Sequence, residues 1–342
     1  MGHSRSSPRK GVNIVTAAGP GIGLGHLQRC LTLAQALREG GLEVLFWLRG
    51  GREAATRIHS SGFPLRLVDS PSNVLREVPQ VSGPFIIDDY NWLTADITRL
   101  ANVRRPICVV DDLATRKLPV DLVVNGCLHA EQLTYTVGPQ TRLLLGAQYV
   151  LLRLAYRETP ERAIRPTVER LLLTVGGGDP LGITAELITY VRRALPSALI
   201  DVVVGPLFPD PLRFLLSSIA AHDPNVLLHQ DPAYMRDLML GADLALSAAG
   251  QTLYELAASG TPTLSLLMAE NQRSSGEAFQ QEGAALLLGA PGDLSFSDRL
   301  VEALKALNAD PGERGRVSAR ARSLVDGDGA QRVATTILGM AA

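Results

Sequence analysis

Four short runs of this chain carry residue types suited to chemistry. In the first, Gly19, Gly21, Gly23 and Gly25 lead into His26 and Arg29. Glycine allows positive φ and lets a ligand come close to the backbone. Imidazole titrates near neutrality, so a histidine beside such a turn suits general-base catalysis. A surface histidine at a helix start is the competing reading. Read as G-x-G-x-x-G, the run fails at its sixth position, which is Leu24. No acid ends the following strand, where Leu48, Arg49 and Gly50 stand, and no G-K-[ST] follows the glycines. A dinucleotide fingerprint and a P-loop are both disfavoured.

The second run is Gly176, Gly177, Gly178 and Asp179, in which Asp179 can cap a helix with Pro180 at its first position. Three glycines exceed what a cap requires and invite a ligand to the backbone. The third run is Ser247–Glu255, SAAGQTLYE. It reads as a strand end in small residues, a tight turn at Gly250 and a helix opened by Thr252. Thr252 and Glu255 have the spacing of a capping box. Alternatively, helix N–H groups at Gln251 and Thr252 receive a diphosphate, and Glu255 accepts from ribose hydroxyls. The fourth run, Asn271 and Gln272, offers amides that can cap a helix or hold sugar hydroxyl or acetamido groups. Two acid pairs, Asp88/Asp89 and Asp111/Asp112, can orient a base or bind sugar hydroxyls. Neither pair belongs to a D-x-D triplet, and no metal is expected. His129, His222 and His229 have no evident partners and read as structural or surface groups.

These runs sit where strands meet helices. Asn13–Ala18 is an apolar, partly β-branched strand, and Leu27, Cys30, Leu31, Leu33, Ala34 and Leu37 then follow at helical spacing. Further apolar strands are expected at 42–48, 63–68, 85–88, 106–110, 122–124 and 143–145, with the acid pairs just past two of their carboxyl ends. The polar, proline-bearing segment 158–166 reads as a linker. Beyond it strands at 170–175, 199–204, 226–229, 244–247, 263–267 and 285–288 alternate with helices. Strands apolar throughout and alternating with helices predict parallel sheets covered on both faces. Open α/β sheets bind ligands at the carboxyl ends of their strands.

The chain's 342 residues suit two domains. A formal net charge of −1 provides no basic field for nucleic acid. Cys30, Cys108 and Cys127 are widely spaced, form no ligand pattern and read as reduced thiols of a cytoplasmic protein. No apolar run reaches the roughly 18 residues of a membrane span. The polar, basic leader lacks the apolar stretch of a secretory signal. A monomer is expected.

Six stretches together resemble a known family: GIGLGHLQRCLTLAQAL (21–37), IIDDYNW (86–92), VVDDLATRKLPVDLVVN (109–125), LLLGAQYVLLR (143–153), LLLTVGGGDP (171–180) and SAAGQTLYELAASGTPTLSLLMAENQ (247–272). They are similar to the UDP-sugar hydrolases of pseudaminic acid synthesis, grouped with spore-coat polysaccharide biosynthesis proteins and related to GT-B glycosyltransferases. The resemblance implies an α/β, GT-B-like architecture of two Rossmann-type domains facing a central cleft. The expected layout is a leader over 1–12, an N-terminal domain over 13–157, the linker over 158–166 and a C-terminal nucleotide-binding domain over 167–342.

The implied reaction is hydrolysis of UDP-2,4-diacetamido-2,4,6-trideoxy-β-L-altrose to free sugar and UDP, with no cofactor. Transfer of the sugar to a hydroxyl acceptor is the alternative. The resemblance makes His26 the base, with Asp88 and Tyr90 beside it. Gly23, Gly25, Arg29, Gly177, Gly178, Asp179, Gly250, Gln251, Thr252, Glu255, Asn271 and Gln272 are expected to bind substrate. The chain departs from the family pattern in its extra Gly176, in the residues before Thr252 and in the residues after Arg153.

Overall fold

The computed structural model describes residues 11–19 and 22–341. Most of the expected leader, together with Gly21, lies outside them. The chain divides into two compact units, one of residues up to Leu154 plus Gly327 onward and one of Ala155–Asp326.

In the first unit the strands are β1 (Gly11–Ala18), β2 (Glu43–Gly50), β3 (Leu65–Leu67), β4 (Phe85–Asp88), β5 (Ile107–Val110), β6 (Lys117–Leu118), β7 (Leu122–Asn125), β8 (Thr136–Val137) and β9 (Arg142–Leu145). The helices are α1 (Gly25–Glu39), α2 (Arg52–Ser60), α3 (Pro71–Glu77) and α4 (Thr94–Ala101). β1 begins at Gly11, inside the expected leader. α3 was not expected. Its start is fixed by Ser70, whose backbone N–H and hydroxyl both donate to Asn73 Oδ1, and by Pro71 at the first helical position. Seven strands form one sheet in the order β3-β2-β1-β4-β5-β7-β9, every pair parallel. Neighbouring residues of one strand enter different cores. Ile14 and Ile86 pack with Leu27, Leu33 and Leu37 on one face, whereas Val15, Phe85 and Ile87 pack with Trp47, Ile97 and Leu100 on the other. Burial on both faces is why these strands are apolar throughout.

The second unit repeats this architecture. Its strands are β10 (Arg170–Thr174), β11 (Leu199–Val204), β12 (Val226–Gln230), β13 (Leu244–Ala248), β14 (Thr263–Leu266) and β15 (Leu286–Leu287). Between and after them run α5 (Thr184–Ala194), α6 (Asp210–His222), α7 (Met235–Gly241), α8 (Gln251–Ala258), α9 (Arg273–Gln281), α10 (Phe296–Ala309) and α11 (Pro311–Leu324). The parallel sheet has the order β12-β11-β10-β13-β14-β15. In both sheets the strand order reverses beside the first strand, between β1 and β4 and between β10 and β13. Such a reversal leaves a crevice outside the strand ends, the usual ligand position in open α/β sheets.

Two expectations about domain layout are corrected. The last helix, α12 (Gly329–Ala341), belongs to the first unit and not to a continuous C-terminal domain. Its Ala330, Val333, Ala334 and Ile337 are buried in the core that holds α1. The expected linker 158–166 has no regular structure, yet it is fastened to the second unit. Arg162 donates to Met239 O at 2.7 Å and to Thr261 Oγ1 at 2.8 Å, and also to Ala242 O. Arg322 reaches Thr159 O and Pro160 O, both at 2.9 Å. These arginine contacts hold the segment against the second unit as a strap, where composition suggests a linker between domains. Among the described residues no helix is long and apolar enough to cross a membrane.

Candidate active site

The chain leaves β1 through a tight loop in which Gly19 and Gly23 bond reciprocally, N–H to carbonyl, at 3.2 and 2.8 Å. Gly23 has φ of 82°, a left-handed value that favours glycine. α1 then begins at Gly25 with no side-chain cap. His26 and Arg29, three apart on its first turns, share one face. Facing them is Asp88, the last residue of β4, paired in register with Thr16 of β1. The crevice between β1 and β4 is therefore where these three groups meet.

Asp88 is fully buried and accepts from every side. Its Oδ1 lies 2.6 Å from His26 Nδ1 and 2.6 Å from Arg29 Nη2, and its Oδ2 accepts from Arg29 Nε at 2.6 Å. The Cys30 thiol adds a contact at 3.4 Å. Burial alone would raise the Asp88 carboxyl, but the charge of Arg29 and the bonds from Arg29 and His26 hold it well below the usual carboxylate range. An ionised carboxylate only accepts, so the proton of the 2.6 Å bond sits on His26 Nδ1. The 3.1 Å approach of Arg29 Nη2 to the same nitrogen is then a contact between two donors, both aimed at Asp88. Nε2 has no partner among the described residues, and in the neutral ring this arrangement leaves it the lone pair. An imidazole in this tautomer is ready to take a proton.

Arg29 was expected to bind substrate. Its guanidinium instead turns inward, donating to Asp88 and, through Nη1, to Asp112 Oδ2 at 2.6 Å. Asp112 stands just past β5, the strand next to β4. Tyr90 donates to the same Asp112 oxygen at 3.1 Å and packs edge-on against His26, with ring centroids 4.7 Å apart. Burial and the neighbouring Asp112 push the Tyr90 phenol up, so it stays protonated and remains a donor. The other members of the acid pairs do local work. Asp89 holds Arg49 at 2.8 Å, and Asp111 accepts from the backbone of Leu113 and Ala114.

In the second unit the glycine run and the third run leave the sheet side by side, since Thr174 of β10 pairs with Ser247 of β13. Gly176 has φ of 97°. The turn is backed by the loop after β11, where Leu207 N–H donates to Gly177 O at 2.8 Å. A side chain on Gly205 would stand 2.4 Å from that same carbonyl. Asp179 does not cap a helix starting at Pro180. α5 starts at Thr184, whose N–H and hydroxyl donate to Asp179 Oδ2 at 2.9 and 2.6 Å. Asp179 Oδ1 is buried and without a partner among the described residues.

Of the two readings open for Thr252 and Glu255, the capping box does not form. The N-cap is Gly250, so Thr252 lies inside α8, and the first turn carries no side-chain cap. Glu255 is buried within the helix, and Gln251 and Thr252 are half-buried at its start. Gln272 accepts from Met268 N–H at 3.0 Å, and its Nε2 lies 3.5 Å from the point where a side chain on Gly250 would begin. Asn271 is exposed in the short 3₁₀ turn Glu270–Gln272.

Sequence reasoning missed three arrangements. Arg29 and Asp112 were not joined, although an acid beyond a strand's carboxyl end is the signal that flags Asp112. His129 was read as structural, yet it senses the Asp112 carboxylate, an attraction that partly offsets the lowering of its pKa by burial. His229 is not partnerless. It contacts Asp201 at 2.7 Å and Tyr234 at 3.1 Å, and Arg170 also binds Asp201.

No protein-family model matches the chain. It is 26% identical to the spore coat polysaccharide biosynthesis protein SpsG of Bacillus subtilis, over 96% of this chain and 97% of that protein. It is 24% identical to a Helicobacter pylori protein named pseudaminic acid cytidylyltransferase and UDP-2,4-diacetamido-2,4,6-trideoxy-beta-L-altropyranose hydrolase, over 76% of this chain and 45% of that one. An uncharacterized protein of Methanocaldococcus jannaschii, MJ1062, is 24% identical over 77% of this chain and 56% of its own length. The chain thus spans about half the length of these last two relatives. Among solved structures it is similar to MurG of Acinetobacter baumannii, with a TM-score of 0.67 at 15% identity over 96% of this chain and 99% of that one. It is also similar to the spinosyn rhamnosyltransferase SpnG complexed with thymidine diphosphate, with a TM-score of 0.65 at 15% identity over 97% of this chain and all of that one, 100%. The fold is that of the GT-B glycosyltransferases.

Proposed function

We propose that this chain is a nucleotide-sugar hydrolase that cleaves a UDP-linked amino-deoxy sugar between its anomeric carbon and the diphosphate. The observation that carries this reading is the Asp88–His26 pair, which leaves Nε2 of the imidazole open at a strand-reversal crevice. Water gives a proton to His26 Nε2 as its oxygen forms a bond to the anomeric carbon. The carbon–oxygen bond to the diphosphate breaks, and UDP leaves with the electron pair. Arg29 keeps Asp88 ionised, and Asp88 steadies the imidazolium that forms. The turn Gly176–Gly178 and the uncapped start of α8, with Gln251 and Thr252, bind the diphosphate through backbone N–H groups. Glu255, Asn271 and Gln272 take nucleoside and sugar polar groups, and Gly23 and Gly25 admit the scissile bond close to the backbone.

The name of the Helicobacter pylori relative supports hydrolysis, and that of the Bacillus subtilis relative supports polysaccharide synthesis. A second reading, transfer of the sugar to a hydroxyl, is favoured by the glycosyltransferase and rhamnosyltransferase names of structural neighbours. The experiment is to incubate the protein with UDP-2,4-diacetamido-2,4,6-trideoxy-β-L-altropyranose in buffer and follow UDP by chromatography. Release of UDP and free sugar without acceptor is expected. Consumption only when a hydroxyl acceptor is added identifies a transferase. His26→Ala is expected to lower turnover about 10²–10⁴-fold while UDP affinity, read by calorimetry, is unchanged. Full activity of that variant removes His26 from the reaction.

A further inference from the structure

The network around Asp88 is closed on its inner side and open at a few atoms. Asp88 is wholly enclosed, and each guanidinium nitrogen of Arg29 is directed at a carboxylate. Asp112 is the most open of the four side chains, 21% exposed against 11% for Arg29, 12% for His26 and none for Asp88. Only its Oδ2 is engaged, by Arg29 and Tyr90. Its Oδ1 is not among the enclosed polar atoms and has no partner among the described residues. The network therefore presents two acceptors outward, His26 Nε2 and Asp112 Oδ1. Both are tied to one guanidinium and to one phenol, which touches the imidazole ring with its edge and Asp112 with its hydroxyl.

Two open acceptors tied to the same guanidinium and the same phenol suit a nucleophile with two protons. From this we infer that Asp112 Oδ1 is the second anchor of the attacking water. Water donates one hydrogen to His26 Nε2 and the other to Asp112 Oδ1, which turns an oxygen lone pair to the anomeric carbon. The first proton moves to His26 as the carbon–oxygen bond forms. The second stays on the new sugar hydroxyl, and UDP departs with the electrons of the broken bond. An alcohol has a single hydroxyl hydrogen and gains only the His26 contact. Asp112 thereby selects water over alcohols, which deepens the hydrolase reading and rests on it. Arg29 Nη1 lies 2.6 Å from the other oxygen of this carboxylate and holds it in place. His129, which senses the same carboxylate, has its pKa lowered by burial and so adds no competing charge.

The test is a nucleophile competition with the full chain, the same UDP-sugar and added methanol. Wild-type protein is run first. If it releases no UDP in water, the hydrolase reading fails and this inference falls with it. If it hydrolyses, the ratio of methyl glycoside to free sugar is compared with that of Asp112→Asn. That ratio is independent of how much of the variant is folded. Asparagine keeps the shape but weakens the acceptor, so hydrolysis is expected to fall about 10²-fold with KM for the UDP-sugar unchanged. The methanol-to-water product ratio is expected to rise about 10-fold, and Asp112→Glu to restore part of it. An unchanged product ratio overturns the inference. So does a raised KM at unaltered kcat, which would make Asp112 a sugar-binding group.

Discussion

A single guanidinium organises the first unit's polar cluster. Arg29 is nearly enclosed and bridges two carboxylates, and without it Asp88 and Asp112 would be like charges beside each other at a crevice. Its own pKa, which burial would lower, is carried above the ordinary value by those two acids. Removing one partner of such a buried pair leaves an uncompensated charge, which typically costs about 3–5 kcal/mol. Asp88→Asn is expected to lose stability on that order in urea unfolding at neutral pH. The pH dependence has a definite sign. The folded-state pKa of Asp88 is depressed, so its contribution is fully present above the unfolded-state value near 4 and is lost as pH falls through the lower folded value. Wild type and variant should therefore differ by a constant amount from about pH 5 to 8 and converge only in strong acid. Convergence already at pH 5 would mean that Asp88 is not held by Arg29. None of the three cysteines is in a disulfide, and Cys30 is buried against Asp88, where burial and that carboxylate push its thiol up. It stays a neutral weak donor instead of a nucleophile.

At the scale of elements, each candidate group is positioned by a strand that stops and a turn that holds. The acid-bearing strands β4 and β5 are short and fully buried, so the residues just past them are set by the sheet and not by a mobile loop. In the second unit the glycine turn is held from behind by the loop after β11. A methyl at Gly205 would meet the carbonyl oxygens of Gly176 and Gly177 at 2.6 and 2.4 Å, too close for any backbone to tolerate. Gly205→Ala should therefore displace the turn while leaving the strands in place. We expect UDP affinity by calorimetry to fall at least about 10-fold, some 1.4 kcal/mol, with the far-ultraviolet circular dichroism unchanged. Unaltered affinity would show that Gly176–Gly178 does not hold the nucleotide.

For the whole molecule, the chain's end belongs to its beginning. α12 buries Val333 and Ile337 against the core of α1, and Gly329 lies so close to Val150 that a side chain there would stand 2.2 Å from its carbonyl oxygen. Two such aliphatic side chains contribute about 3–6 kcal/mol, a large share of the stability of an ordinary domain. A chain ending at Asp326 is expected to melt its first unit at a markedly lower temperature. The second unit, complete within Ala155–Asp326, should keep its transition in scanning calorimetry. A truncated chain whose two transitions are both unmoved would show that α12 is dispensable.

Much of this was legible in the sequence because it is local. Apolar strands, helical spacing and glycine turns depend on neighbours a few residues apart, and they indicated two parallel α/β sheets with His26, Gly176 and Gly250 at strand ends. Short-range patterns also misled. Thr252 and Glu255 have capping-box spacing, but the helix is capped at Gly250, two residues earlier than that box requires. Asp179 reaches over a longer turn to Thr184 than its neighbour Pro180 suggests. What only the tertiary structure decided is which distant charges meet. Arg29 and Asp112 are far apart in sequence and 2.6 Å apart in space because β1, β4 and β5 lie side by side. The return of α12 to the first core has the same origin. An apolar helix face reads alike whichever core it enters, and only packing chooses between them.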